Sequence, residues 1–197
     1  MEGTGDLLAL RVDELLDLLA SDEPAPAGGS AAALAVAISA GLTAKVARAS
    51  TAWPEARAAA AQAERLRRRA GPLAERDAQV YEEALAAMRL PERVEPSVRD
   101  ATVGETVSRA ADIPLAIAEA GADAACLAVL VADRGAPDRR ADAATAALLA
   151  EAAARAAAGL IAVNLTVTAG DERVERAEGL ARIASEAARE AVRSLEA

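Results

Sequence analysis

The chain has 197 residues, enough for one domain with a sizeable core, and a formal net charge of −9 with a pI near 4.7. This acidic balance argues against a nucleic-acid partner, because phosphate binding needs a basic surface. Histidine is absent and Cys126 is the only cysteine, which excludes histidine bases, histidine metal ligands, internal disulfides and multi-cysteine zinc sites. We therefore expect no metal and no redox cofactor.

The apolar residues indicate the fold class. They make up 53% of the chain, yet aromatic residues make up only 1%. Alanine-rich cores favour helices packed at close range, whereas strands need β-branched and aromatic residues. We predict an all-α fold, a single bundle of about six helices spanning residues 1–197. The acidic start, MEGTGDLL, lacks the basic n-region of a secretory signal, so we expect a cytoplasmic protein.

The first predicted helix covers residues 6–19, and the stretch SDEPAP ends it. The uncharged segment PAPAGGSAAALAVAISAGLTA follows at 24–44. The glycines at 28 and 29 predict a flexible loop, and Ser30 is the expected N-cap of a helix that is apolar on nearly every side. Such a helix belongs in a membrane or in the centre of a bundle. Because alanine dominates and a turn precedes the helix, we predict a buried central helix and no membrane partner.

The rest of the chain is also predicted to be helical. Gly71–Pro72 is expected to kink or divide one helix, and Pro114 to kink another. The predicted helical segments are residues 55–89, 97–132, 138 or 142 to 164, and 172–195. The predicted interruptions are a loop at 90–96, a stop at 134–137 and a short break at 169–170.

Asp77 is the first candidate for a chemical role. Apolar residues, among them Val80 and Tyr81, stand three and four positions from it, so its side chain is expected at the edge of a buried helix face. Burial adjusts the pKa of a carboxyl group in such a position, as proton-transfer chemistry requires. The alternative is an exposed aspartate paired with Arg76 or another arginine.

Other polar positions also attract attention. Asn164 lies in the apolar stretch AAAGLIAVNLTV, where its amide either binds a ligand or makes a structural hydrogen bond to another helix. Asp142 opens the same helix, and interaction with the helix dipole would also explain it. Gly28–Gly29 before a helix N-terminus accommodates anions. The run ERLRRR at 64–69 predicts a solvated face with salt bridges or, alternatively, a surface that attracts a polycarboxylate.

Several motifs resemble those of the cyclodeaminase/cyclohydrolase family. PAPAGGS at 24–30, entering an Ala-rich helix, is similar to its PAPGGGS signature. Asp77-Ala78 with Tyr81 resembles its D-A-x-x-F segment, which ends in a Leu-Pro like Leu90-Pro91. The remaining similarities, which extend the resemblance over nearly the whole chain, are Ile113-Pro114-Leu115 with Ala118-Glu119 to V-P-L-x-x-A-E, Gly135 to G-N, Asp142 to S-D, and Val163-Asn164-Leu165 to N-V-x-I-N-L.

The resemblance implies a function as well as a fold. The family includes the C-terminal domain of formiminotransferase-cyclodeaminase and methenyltetrahydrofolate cyclohydrolases, all-α bundles that are commonly homodimers. It implies a folate substrate and interconversion of 5-formimino-, 5,10-methenyl- and 10-formyltetrahydrofolate, without separating deaminase from hydrolase. By the resemblance, Asp77 is the catalytic proton shuttle. The substrate-binding residues that it implies are Gly28, Gly29, Ser30, Asp142 and Asn164.

The chain departs from the family pattern at four motif positions. Ala27, Ala136, Ala141 and Leu160 stand where the family has glycine, asparagine, serine and asparagine. Losing a buried hydrogen-bonding group costs a ligand roughly 1–3 kcal/mol. The departures favour an alternative, a non-catalytic bundle of this family that binds another small molecule or oligomerises. A third hypothesis is an alanine-rich bundle whose only role is assembly.

Overall fold

The computed structural model describes residues 6–91, 95–165 and 170–196. Within these ranges the chain forms eight α-helices, a short 3-10 turn at Pro137–Arg139 and no strand, so the predicted all-α fold is confirmed. The helices are α1 (Val12–Leu19), α2 (Gly28–Ala49), α3 (Ala56–Ala70), α4 (Leu73–Met88), α5 (Pro96–Ala110), α6 (Asp112–Arg134), α7 (Arg140–Asn164) and α8 (Glu172–Arg193).

The predicted central helix is α2, which packs against α3, α4, α6 and α7. Five of its alanines and Val36 are buried among those helices because small side chains let helix axes approach closely. The polar side chains inside the helix are satisfied. The Ser39 hydroxyl donates to the Ala146 carbonyl oxygen of α7 at 2.7 Å, and the Thr43 hydroxyl donates to the Ser39 carbonyl oxygen at 2.9 Å.

Helices α2 and α7 run antiparallel. The N-terminal half of α2 shares a buried cluster with the C-terminal half of α7, and the C-terminal half of α2 shares another with the start of α7. The Ser39–Ala146 hydrogen bond fixes the register between them. The two ends of α7 therefore lie beside opposite ends of α2, which determines which of the candidate residues can meet.

The breaks at glycine and proline account for eight helices where the sequence predicts about six. The Gly71–Pro72 step divides the predicted 55–89 helix into α3 and α4. The 97–132 helix is divided at Ala111, and Pro114 lies in the first turn of α6, where its missing N–H leaves no hydrogen bond unmade. The predicted loop at 90–96 and break at 169–170 include residues 92–94 and Ala169, which lie outside the described residues.

The N-terminal helix is shorter than predicted. It begins at Val12, whereas the pattern predicts a start at residue 6. The Asp6 carboxylate accepts a hydrogen bond from the Leu8 backbone N–H at 3.0 Å, which forms a local turn. This turn places Leu7 in the core with 2% of its surface exposed. The chain before Val12 therefore forms a turn that buries Leu7, and the helix begins only after it.

Three segments, Gly28–Ala49, Pro96–Arg134 and Pro137–Asn164, are long and apolar enough to cross a membrane by length and composition alone. In this fold the three pack against one another: α2 contacts α6 and α7, and α6 contacts α7. The contact between α6 and α7 is close, since a Cβ at Gly121 would lie 3.0 Å from the Ala154 Cβ.

Candidate functional site

Asp77 lies on α4 and directs its carboxyl group at the first turn of α2. A Cβ built on Gly29 would lie 2.0 Å from Oδ1 and 2.5 Å from Oδ2 of Asp77. A carbon and an oxygen atom do not approach so closely without a bond between them, so this contact exists only because Gly29 has no side chain. A glycine is therefore required at position 29, because the carboxyl group of Asp77 occupies the volume that a side chain at this position would fill.

Ser30 is the second residue in contact with Asp77. Its hydroxyl oxygen lies 2.8 Å from the Ala74 carbonyl oxygen and 3.1 Å from Asp77 Oδ2. A hydroxyl has one hydrogen to donate. When that hydrogen goes to Ala74, the Ser30 oxygen can accept a hydrogen bond from a protonated Asp77. No side-chain chemistry marks Ala74 in the sequence, although its position one helical turn before Asp77 puts both residues on the same face of α4.

Ser30 is not the N-cap that the sequence predicts. Helix α2 begins at Gly28, its N-cap is Ala27, and Ala27 has no side-chain oxygen to accept hydrogen bonds from the first turn. The carboxyl group of Asp77 reaches this turn from α4 and accepts a hydrogen bond from the Ser30 backbone N–H. A residue of another helix thus stabilises the helix N-terminus. Both glycines belong to the first turn and not to a loop.

Two opposing effects set the proton affinity of Asp77. Burial raises the pKa of its carboxyl group above the ordinary value of 3.8, and the hydrogen bonds from the Ser30 hydroxyl and backbone N–H lower it; burial is the larger effect. Arg76 is exposed, so the alternative of an Asp77–Arg76 ion pair is not what the structure contains. The site holds a partly buried carboxyl group with a raised pKa, a property typical of proton-transfer residues.

Gly28 and Asn164 lie at the same end of the bundle as this contact. Gly28 is exposed, and a Cβ built on it would meet no atom within 4 Å, so the surface beside it is open. Asn164 is the last residue of α7 and is half-buried. Within the described ranges no hydrogen bond joins Asn164 to Asp77. The antiparallel packing of α2 and α7 nevertheless brings both to one end.

Asp142 lies at the other end. It is in the first turn of α7, one turn before the Ala146 that pairs with Ser39. From that register, a rise of about 1.5 Å per residue puts Asp142 about 20 Å from Gly29 along the bundle axis. Asp142 and Asp77 of one chain therefore do not share a site. No group of three or more Cys, Asp or Glu residues able to hold a metal ion is found in the described part of the chain.

Three comparisons relate the chain to known proteins. The family model described as Formiminotransferase-cyclodeaminase matches residues 11–182. A methenyltetrahydrofolate cyclohydrolase of Methylorubrum extorquens is 31% identical over 182 residues, which cover 86% of this chain and 88% of that protein. The crystal structure of a formiminotetrahydrofolate cyclodeaminase from Thermotoga maritima matches with a TM-score of 0.84 at 20% identity, covering 96% of this chain and 98% of that chain.

Proposed function

The chain belongs to the formiminotransferase-cyclodeaminase family, and from this premise we propose that it is an enzyme of folate one-carbon metabolism in which Asp77 transfers protons. The reaction we propose first is hydrolysis of 5,10-methenyltetrahydrofolate to 10-formyltetrahydrofolate. The name of the 31% identical relative supports this choice. Closure of 5-formiminotetrahydrofolate with release of ammonia is the second candidate, supported by the name of the family.

The observation that carries the proposal is the position of the Asp77 carboxyl group against Gly29 and Ser30. Both reactions pass through a tetrahedral carbon between two nitrogen atoms and need a group that takes a proton from one atom and gives it to another. The chain has no histidine to do this. A carboxyl group whose pKa is raised by burial both accepts and donates protons nearer to neutral pH than an exposed one does.

The proton transfers of the hydrolysis balance with one carboxylate. Water attacks the methenyl carbon, and Asp77 takes one proton from the attacking water as the new C–O bond forms. Asp77 then gives that proton to the folate nitrogen N5 as the bond between N5 and this carbon breaks. The remaining hydroxyl proton leaves to solvent as the formyl carbonyl forms, which accounts for the positive charge of the methenyl substrate. An anionic carboxylate beside that cation also favours its binding.

The same carboxylate would serve the deaminase reaction. The formimino group reacts in its protonated, cationic form. The substrate nitrogen N10 attacks the formimino carbon and loses its proton to Asp77, which leaves the former imine nitrogen as a neutral NH2 group on the tetrahedral carbon. Asp77 returns the proton to this NH2 group, which leaves as ammonia when its bond to carbon breaks, and the positive charge passes to the methenyl product. Because only the entering and leaving groups differ between the two reactions, one site of this kind suits both.

The other site residues receive roles that follow from their positions. Gly28 would form the wall beside the pterin, because the surface there is open, and the buried Gly29 and Ser30 would hold the Asp77 carboxyl group next to it. Asn164 would hydrogen-bond the ligand from the same end of the bundle. Asp142, about 20 Å from Gly29, would act on a substrate at Asp77 only from a second copy of the chain.

We also propose that the chain is a homodimer and that α2 lies in the interface. The side chain of Ile38 is 61% exposed in the middle of this helix, where most neighbouring side chains are buried or half-buried. Ala35 and Leu42 stand three and four positions from Ile38, and Ala31 stands seven, on the face of α2 that also carries Gly28. A second copy on this face would cover apolar surface and close the open side of the site beside Gly28.

A non-catalytic bundle is the competing function, and the departures at Ala136, Ala141 and Leu160 favour it. An assay of the purified chain separates the two functions: we expect the ultraviolet absorbance of 5,10-methenyltetrahydrofolate to decay faster with protein than without it. A thermal shift with reduced folates reports binding independently. The proposal would be contradicted if the protein turned over neither folate substrate and gave no thermal shift with reduced folates. A shift without turnover would favour the binding protein.

A further inference from the structure

A cavity of about 1080 Å³ opens between the C-terminal end of α2 and the face of α3 that lies next to it. We call it the arginine groove. Its charged lining residues are Arg48 on α2 with Arg57, Arg65, Arg68 and Glu64 on α3. Trp53, the only tryptophan in the chain, lines one end. The groove is lined by four guanidinium groups and one carboxylate.

The ion pairs inside the groove do not neutralise all of its arginine side chains. Glu64 binds Arg48 at 2.8 Å and Arg67, a neighbour outside the lining, at 2.9 Å. These hydrogen bonds hold the pKa of Glu64 below its ordinary value, so it stays ionised. Arg57 and Arg68 form no ion pair with any residue in the described ranges, and Arg65 donates to the neutral amide oxygen of Gln62. Three guanidinium groups therefore lack a carboxylate partner in a chain of net charge −9.

The spacing of these arginines fits a linear ligand. Arg57, Arg65 and Arg68 lie on one side of α3, and a rise of about 1.5 Å per residue spreads them over about 16 Å. Guanidinium groups bind carboxylates and phosphates through paired hydrogen bonds. The indole of Trp53 at the end of the row adds an aromatic surface. A single small anion would contact only part of the row.

We propose that the arginine groove is a second ligand site that binds a linear polyanion, with at least three carboxylate or phosphate groups, along α3. The site is separate from Asp77. Its Arg48 end stands about 28 Å from Gly29 along α2, and its Arg68 end, next to the Arg67 that packs on Gly41, stands about 18 Å from Gly29. The proposal does not depend on folate chemistry. The competing interpretation is a solvated arginine face that attracts anions only by its overall charge.

Trp53 fluorescence tests the proposal directly, since no other tryptophan contributes to the signal. Tripolyphosphate and a tetraglutamate peptide are the two probes, titrated at low ionic strength, and inorganic phosphate is the comparison ligand. We expect a saturable change with at least one probe and an affinity at least about tenfold higher than that for inorganic phosphate. The probe that binds more tightly distinguishes a polyphosphate from a polycarboxylate as the natural ligand.

Charge-matched variants separate a built site from general attraction. Arg65→Gln with Arg68→Gln is expected to weaken binding by at least about tenfold, whereas Arg109→Gln with Arg182→Gln removes the same charge elsewhere and is expected to change it less than about twofold. All four arginines are exposed, so the variants should fold, which circular dichroism checks. Equal weakening by both pairs, or no saturable signal with either probe, would overturn the proposal. Asp77→Asn should leave probe affinity unchanged, so failure of the folate reaction does not affect this result.

Discussion

Gly29 and Asp77 face each other so closely that a Cβ at position 29 would lie 2.0 Å from Asp77 Oδ1. We therefore predict that Gly29→Ala forces the carboxyl group to rotate away from Ser30. The lost hydrogen bonds cost about 1 kcal/mol, and the better helix propensity of alanine restores about as much, so stability should change little. Turnover should fall about 100-fold, because the proton-transfer group is displaced by an ångström or more.

The control for this variant is Gly104→Ala in α5. Gly104 is exposed, and a Cβ there would meet no atom within 4 Å. We expect this change to raise the free energy of unfolding by up to about 1 kcal/mol and to leave turnover unaffected. Chemical denaturation and the folate assay measure both quantities. Full activity in Gly29→Ala would contradict the role given to the close contact.

Asp77→Asn should not destabilise the protein at neutral pH. The pKa of Asp77 is raised on folding, so its ionised form is disfavoured in the folded chain. This cost is present in full above the folded pKa and disappears below the ordinary value of 3.8. The variant should therefore equal or exceed the wild type in free energy of unfolding at neutral pH, and the difference should vanish as the pH falls below 3.8. A variant that is much less stable at neutral pH would show that the ionised carboxylate stabilises the fold.

Arg173 should be important for stability. Its guanidinium donates to Asp112 Oδ1 at 2.7 Å, to the Ser108 carbonyl oxygen at 2.8 Å and to Asp171 Oδ2 at 2.7 Å, tying the start of α8 to the junction of α5 and α6. Its side chain is only 20% exposed. We predict that Arg173→Gln lowers the free energy of unfolding by about 2 kcal/mol, measured by chemical denaturation.

The matched control is Arg176→Gln, which removes a salt bridge to Glu119 from a side chain that is 64% exposed. The loss of this salt bridge should lower the free energy of unfolding by less than about 0.5 kcal/mol.

The stability contributed by Arg173 should depend on pH, because its hydrogen bonds lower the pKa of Asp171 from 3.8 to about 2. The stability that these hydrogen bonds contribute is present above pH 3.8 and is lost as the pH falls towards about 2. The difference in free energy of unfolding between Arg173→Gln and the wild type should therefore decrease over that pH range. If the difference in free energy of unfolding stays constant over this pH range, the ion pair with Asp171 is not the source of the stability that Arg173 contributes.

The proposed dimer interface predicts a contrast between two exposed isoleucines. Ile38 on α2 is 61% exposed and Ile183 on α8 is 47% exposed. Ile38→Asp would bury a charge in the interface and should give a monomer, whereas Ile183→Asp should not change the oligomeric state. Light scattering during size-exclusion chromatography measures both masses. If Ile38→Asp remains dimeric, α2 is not in the interface.

The sequence predicts the helices better than it predicts the site. Alanine periodicity and the breaks at Gly71–Pro72 are local signals, and they locate most helices correctly. The contact of Asp77 with Gly29 joins residues far apart in the chain, so no local pattern reveals it. The separation of Asp142 from Asn164, in contrast, follows from their 22-residue spacing on one helix, which corresponds to about 33 Å. The family motifs give only the order of these residues along the chain, so they do not indicate that the two lie at opposite ends of the helix.

The start of α2 illustrates the remaining difficulty. Ser30 is the natural N-cap by residue type, but the carboxyl group of Asp77 stabilises this end from α4, and the helix begins at Gly28 instead. Tertiary contact thus overrides local propensity. The same contact changes the role of Ser30 from a cap to a hydrogen-bond partner of the candidate catalytic group.

The turnover number of Asp77→Asn with 5,10-methenyltetrahydrofolate tests the central claim most directly. The amide keeps the shape of the side chain but cannot carry the proton. We predict active wild-type protein and a loss of about 100-fold or more in the variant, with the folate-induced thermal shift retained. Turnover in Asp77→Asn equal to that of the wild type would remove Asp77 from the reaction.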